Sequence, residues 1–375
     1  MMNKGLYIHI PFCNKICSYC DFTKRVSNKY IKAKYVDALL KELELYKELN
    51  FDFNCLKTIY IGGGTPSSLD FNLLKKIFVF LSSLIDFKKI EEFNFEINPE
   101  DLNNELIDLL SSYNVNRVSI GIQTLNKDLL KLLNRNFDFA KFKDSLKYLK
   151  NKICHVNIDL MYAIPGQTIQ DLETTINEVL SWGIDHVSLY SLILEDKTVF
   201  HHLFQNGKIS LVDEELELEM VDKINKLLFP NFKKYEVSNY ALNGAVSKHN
   251  LLYWKNEKYL GVGISSASYL DNYRYTNTND LKEYFSLIEK NVLPITEIEQ
   301  LELIDEKKYH LILGFRLIEG IDVNDYYERF NNNIFDDFPK LYDFIEHGYM
   351  MFIDNKIFIN QEYFYVMNHL LEQLI

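Results

Sequence analysis

Short β-rich runs alternate with longer amphipathic ones through roughly the first 240 of 375 residues, and no other feature restricts the fold as strongly. Repeated βα units of this kind pack as a parallel sheet covered by helices. Strands are expected at 6–10, 56–61, 93–97, 117–120, 156–161, 186–190 and 234–237, with helices such as 30–49, 71–84 and 172–182 between them. The polar and glycine-containing motifs fall one after another at the C-terminal ends of these strands. An open doubly wound sheet gathers its chemistry at one switch point, whereas a barrel brings every strand end to a common rim. The expected fold class is therefore α/β, a (β/α) barrel of TIM type, and partial because the strands fall short of eight.

The loop after the first strand reads PFCNKICSYCDF and spaces Cys13, Cys17 and Cys20 as C-x3-C-x2-C. Zinc ribbons and fingers usually supply four ligands as two separated pairs. Three clustered thiolates leave one metal position open, as in a [4Fe-4S] cube held at three corners. A Cys3His zinc site completed by His9, or three buried thiols, are the alternatives. Cys55 and Cys154 read as core residues in a reducing compartment.

Gly62, Gly63 and Gly64 before Thr65 and Pro66 form a glycine run that lets backbone groups approach a ligand. No Gly-Lys-Ser/Thr follows, so it is not a P-loop, and a plain tight turn is the competing reading. Glu96, Gln123, Arg135 and Asp159 offer groups suited to an ammonium, a carboxylate and ribose hydroxyls. Singly each is more often structural; their shared rim carries the inference, except for Arg135, which lies farther out inside LNRNFD and which spacing alone does not select. In HNLLYW, His249 lies beside Tyr253 and Trp254, an arrangement a haem iron and its macrocycle would accept, although a hydrogen-bonded structural histidine is the commoner outcome.

A net charge of −12 disfavours nonspecific nucleic-acid binding. No run is apolar and long enough to cross a bilayer, and no signal peptide is expected; the cysteine usage, too sparse and clustered for a disulfide framework, implies the cytoplasm. The division expected is 1–240 for the barrel, 241–294 for a connecting segment whose part 249–269 is a packed loop with extended pieces, and 295–375 for a small C-terminal domain. There, helices at 297–317, 323–330 and 339–347, a hairpin at 350–359 and a last helix at 362–374 suggest a winged-helix-like domain. Sixteen acidic residues against six basic ones give it a net charge of −10, which favours a protein-contact or lid role over DNA binding.

PFCNKICSYCDF, IYIGGGTPSSL, FEINPE, RVSIGIQTLN, VNIDLMYAIPGQT and HNLLYWKNEKYLGVG occur in this order, and the chain resembles the radical S-adenosylmethionine (SAM) proteins related to oxygen-independent coproporphyrinogen III oxidase. Within that group it most resembles the HemW-type haem chaperones. The resemblance implies a [4Fe-4S] cluster on Cys13, Cys17 and Cys20 with SAM on the open iron. It implies SAM contacts from Tyr7, Tyr19, Gly63, Gly64, Thr65, Glu96, Gln123, Arg135, Asp159, Ser191 and Ala267, and haem contacts from His249, Asn250, Tyr253 and Trp254. Haem would pass to an acceptor protein, with a respiratory protein at the membrane as the candidate, so a position peripheral to the inner face of the membrane is allowed. A monomer or a dimer fits equally. The oxidase pattern has a cysteine two residues beyond the third cluster ligand and a longer N-terminal segment; this chain has Phe22 there and lacks the extension. Both departures favour the chaperone over the oxidase, which stays as the alternative.

Overall fold

A computed structural model describes residues 4–374. Six parallel strands stand side by side in chain order: β1 (Gly5–Ile10), β2 (Thr58–Gly63), β3 (Glu92–Ile97), β4 (Arg117–Gln123), β5 (His155–Tyr162) and β6 (His186–Ser191). The helices that join them start on side-chain caps the sequence supplies. Asn28 accepts from Ile31 N at the helix Lys29–Glu48, and Thr168 with Asp171 forms a capping box at Ile169–Ser181.

The expected seventh parallel strand does not form. Only β7 (Lys233–Lys234) is extended there, and it pairs antiparallel with β8 (Asn239–Ala241), which itself runs antiparallel to β6. Tyr235 N donates to Asn239 O, so the chain turns back where a crossover would have to continue. At the other edge β9 (Tyr259–Val262) runs parallel to β1 and leads through β10 (Ala267–Leu270) and β11 (Tyr273–Asn277) to β12 (Ile295–Gln300). The result is a partial (β/α) barrel extended by antiparallel strands.

Strands in a sheet buried on both faces usually read as continuous apolar runs. Here β3 to β6 alternate instead. Phe93, Phe95, Val118, Ile120, Val156, Ile158, Val187 and Leu189 pack into the main core, which includes residues from Leu6 to Ile288. Their neighbours Asn94, Glu96, Arg117, Ser119, Asn157, Asp159, His186 and Ser188 line a cavity inside the barrel. A TIM barrel ordinarily fills that interior with branched side chains; this one keeps a polar shaft.

The segment 249–269 departs from its expected form. HNLLYW is helical, in Lys248–Trp254, with Ser247 Oγ accepting from Asn250 N as the cap. Residues 295–300 are the exposed edge strand β12 rather than the start of a helix, and the helix begins at Leu303. A second apolar cluster, from Leu311 to Leu374, joins the helices Val323–Phe330 and Lys340–Glu346 to a sheet of β13 (Ile321–Asp322), β14 (Met350–Ile353) and β15 (Lys356–Ile359) in the order β13-β15-β14. The hairpin turns at Asp354 and Asn355, both with positive φ, and a 3-10 turn at Gln361–Val366 precedes the last helix, Met367–Leu374. This is a winged-helix-like arrangement. Cys55 is half-buried and Cys154 is exposed, so neither is the core residue expected.

Candidate cofactor cavity

The barrel interior encloses a cavity of about 650 Å³ that opens at the C-terminal strand ends. Cys13, Cys17 and Cys20 line its mouth together with Tyr19 and Phe22. Gly63, Gly64 and Thr65 border the same space, and Glu96, Gln123, Arg135, Asp159 and Ser191 reach it from the following strands and loops. Twelve residues dispersed from position 13 to position 191 are thus brought together, counting the three cysteines, Tyr19, the Gly63–Thr65 run and these last five.

Arg135 ties the thiol loop to the rim. Its Nη1 lies 3.4 Å from both Cys17 Sγ and Tyr19 OH, and its Nη2 donates to Asn98 Oδ1 (2.9 Å) and to the Gly121 carbonyl (2.7 Å). Thr65 Oγ1 stands 3.5 Å from Cys13 Sγ. A Cβ on Gly64 would come within 2.9 Å of the Pro11 carbonyl carbon and 3.1 Å of Cys13 Sγ, so only glycine lets β2's loop touch the thiol loop. Burial pushes the Cys13 thiol up to about 11 and raises that of Cys20. Proton loss from them therefore goes with metal ligation.

Farther in, Glu96 accepts from Tyr60 OH (2.6 Å) and Gly63 N (3.1 Å). Burial raises its carboxyl to about 7, with Asp159 adding repulsion against the pull of those hydrogen bonds. Burial likewise raises Asp159, which accepts from Asn157 Nδ2 at 2.7 Å. Tyr190 OH holds Gln123 through Oε1 (2.8 Å), and Ser191 Oγ donates to Glu217. Two buried carboxyl groups, neither in a salt bridge among the described residues although Arg135 acts on Asp159 from across the cavity, form a receptor for an ammonium or for hydroxyl donors.

Two of the expected SAM contacts, Tyr7 and Ala267, are not among the residues lining the cavity. Tyr7 turns its hydroxyl to His9 Nδ1 (3.0 Å) and does not border the cavity. Ala267 is exposed at the start of β10. The zinc alternative loses its imidazole, because His9 Nε2 also sits 2.9 Å from the Thr23 carbonyl, so both ring nitrogens are engaged. Among the described residues no three His, Cys, Asp or Glu side chains converge as they would on a single bound ion.

The HNLLYW helix occupies the opposite end of the barrel. His249 Nδ1 meets Thr58 Oγ1 at the first residue of β2, and a Cβ on Gly5, the first residue of β1, would strike Leu252 and His249. His249 is 0% exposed, with Nε2 2.9 Å from Tyr253 OH, and burial lowers its pKa to about 3. Neither His249 nor Tyr253 borders the cavity, whereas Asn250 and Trp254 do. The expected haem-ligating imidazole is thus a buried anchor with both nitrogens engaged.

Asn94, Arg117, Ser119, Asn157, His186 and Ser188 escaped sequence reasoning that looked only at strand ends. The signal was present as strict alternation within EFNFEI, RVSIGIQ, HVNIDLMY and HVSLYS, where a doubly covered strand should be apolar throughout.

A partial barrel with three thiols on its first loop is the build of the radical SAM class. The Radical SAM superfamily pattern matches residues 7–179, and the HemN C-terminal domain pattern matches residues 298–362. The chain is 37% identical to a heme chaperone HemW of Lactococcus lactis over 90% of this chain and 86% of the relative, and 35% identical to one of Bacillus subtilis over 96% of each. It therefore belongs to the HemW family of radical SAM proteins. The coproporphyrinogen III oxidase HemN of Escherichia coli, a radical SAM enzyme, shares the fold at a TM-score of 0.84, with 20% identity over 99% of this chain and 90% of that one. Membership implies a [4Fe-4S] cluster and SAM. The donor set fits them: three thiols at one mouth, a glycine loop without room for a Cβ, and two buried carboxylates.

Proposed function

We propose that the chain is a haem chaperone that binds haem and hands it to an acceptor protein, a respiratory haem protein at the membrane being the candidate. The observation that carries this reading is the end-to-end relationship to heme chaperones, 35% identity over 96% of both chains in one case. No helix among the described residues is long and apolar enough to cross a membrane, so contact with a membrane-bound acceptor would be peripheral. Residues 1–240 would supply the cofactor core, 241–294 the segment closing its floor, and 295–375 an acidic contact surface.

In this reading Cys13, Cys17 and Cys20 hold the cluster, which with SAM can supply reductive cleavage to a 5′-deoxyadenosyl radical. Arg135 fixes the thiol loop through Cys17 and Tyr19 and places positive charge beside the thiolates. Glu96 and Asp159 offer acceptors to the amino and hydroxyl groups of SAM, and Thr65, Gln123 and Ser191 add neutral partners. Asn250 and Trp254 present the haem-associated helix to the cavity. His249 holds that helix to β2 and meets Tyr253 OH with its other nitrogen, and direct haem ligation by His249 would require it to leave Thr58 or Tyr253.

The oxidase reading keeps one structural argument, the likeness of fold. Against it stands Phe22, 66% exposed at the cavity mouth where the oxidase pattern carries a cysteine. Anaerobic assay of the reconstituted chain with coproporphyrinogen III and SAM separates the two. The chaperone reading expects no protoporphyrinogen above background; robust formation would make the chain an oxidase.

A further inference from the structure

We propose that the floor of the barrel is a second ligand site, which takes a carboxylate group on Arg117 Nη1 and the indole N–H of Trp254.

Arg117 is the first residue of β4 and is 1% exposed, yet it borders the cavity. Its Nε donates to Glu92 Oε2 (2.9 Å), and its Nη2 donates to the carbonyls of Ala245 (2.9 Å) and Val246 (2.8 Å). Nη1 has no partner. Glu92 is already committed, since its oxygens also accept from Ser247 Oγ (3.1 Å) and from the backbone N–H of Lys248 (2.8 Å) and His249 (2.9 Å). Glu92 thus pairs with the guanidinium in a buried ion pair and also accepts from the first N–H groups of the HNLLYW helix, which leaves it no reach to Nη1.

The second observation is independent of the first. Trp254 Nε1 is buried, has no acceptor, and belongs to the helix that closes the same cavity. A buried N–H left unpaired is costly, and more so when it carries charge. Two further titratable groups lie around Tyr235: Glu236, whose carboxyl burial raises to about 7, and His186. His186 is kept neutral by burial, with its nitrogens at Asn157 Oδ1 (2.7 Å) and Tyr235 OH (2.9 Å). One unpaired guanidinium nitrogen and one unpaired indole N–H on residues that border one cavity suit a two-oxygen anion, one oxygen to each donor. The carboxylate can belong to a tetrapyrrole propionate or to a small dicarboxylic acid. The first source rests on the haem reading; the second does not.

The test uses the full chain with three probes, haem, haem dimethyl ester and succinate, on wild type, Arg117→Lys and Trp254→Phe. If the source is a tetrapyrrole, wild type binds the free acid about tenfold or more tighter than the diester, and either variant brings that ratio close to one. If it is a small acid, esterification changes nothing, while succinate raises the melting temperature of wild type and not of the variants. Should Arg117→Lys fail to fold, Trp254→Phe decides, since it removes the N–H and keeps an aromatic ring. Absence of haem binding altogether counts against the chaperone reading and leaves the succinate arm to judge this one. An ester ratio and a succinate response that are both indifferent to Arg117 and Trp254 overturn the proposal.

Discussion

His249 Nδ1 and Thr58 Oγ1 lie 2.7 Å apart, which fastens the HNLLYW helix to the first residue of β2, at the far end of the barrel from the thiol loop. The cofactor residues and the haem-associated segment therefore face each other along one polar shaft rather than sharing one rim.

That anchor predicts a stability phenotype for His249→Gln. Removing the imidazole disturbs the contacts of Thr58 Oγ1 and Tyr253 OH, at a cost of about 2 kcal/mol at neutral pH. The pH dependence follows from a folded-state pKa lowered from 6.5 to about 3. Above pH 6.5 the histidine's contribution is fully present; as pH falls toward 3 the unfolded chain takes up a proton the folded one refuses. The gap between wild type and variant in urea unfolding should narrow below pH 6.5, at up to about 1.4 kcal/mol per pH unit. A gap that stays constant down to pH 5 would refute the anchored, neutral imidazole.

Glu96 has the opposite sign. Burial lifts its carboxyl from 4.5 to about 7, so its contribution is complete below pH 4.5 and is lost as pH rises through 7. Without cofactor, Glu96→Gln should gain on wild type by roughly 2–3 kcal/mol between pH 5 and pH 8, on top of a pH-independent loss from the weakened hydrogen bonds to Tyr60 and Gly63. Thermal melts across that range check it; parallel curves would mean Glu96 is charged throughout.

Gly64→Ala tests the contact between the glycine loop and the thiols without touching a cysteine. The added methyl meets Pro11, Phe12 and Cys13 within 3.1 Å, which costs about 1–3 kcal/mol of overpacking and displaces the loop. Iron and sulfide content after anaerobic reconstitution should fall several-fold, approaching that of Cys13→Ala. Full incorporation in the glycine variant would show that the loop need not touch Cys13.

The sequence read well where local and tertiary preferences agree. The first six strands were expected in place because β-rich runs bounded by helical periods leave little else to form, and the turn at Asp354 and Asn355 needed two residues tolerant of positive φ. Residues 295–300 misled because Ile295, Ile298 and Leu301 recur at helical spacing among glutamates, while pairing with β11 makes them an exposed edge strand. HNLLYW was too short to display a helical period, although Ser247 at its cap announced one. The rim residues were legible as motifs, but Tyr7 and Ala267 bear on positions set by packing, which no spacing reveals. The polar interior was legible too, as alternation where none is needed.

Haem transfer tests the central claim most directly. The purified full chain, loaded with one equivalent of haem and mixed with an apo-haem protein, should lose its own haem absorbance as the acceptor's holo spectrum appears, faster than free haem of equal concentration is taken up under competing albumin. No stoichiometric haem binding, or release no faster into the acceptor than into albumin alone, would contradict the account.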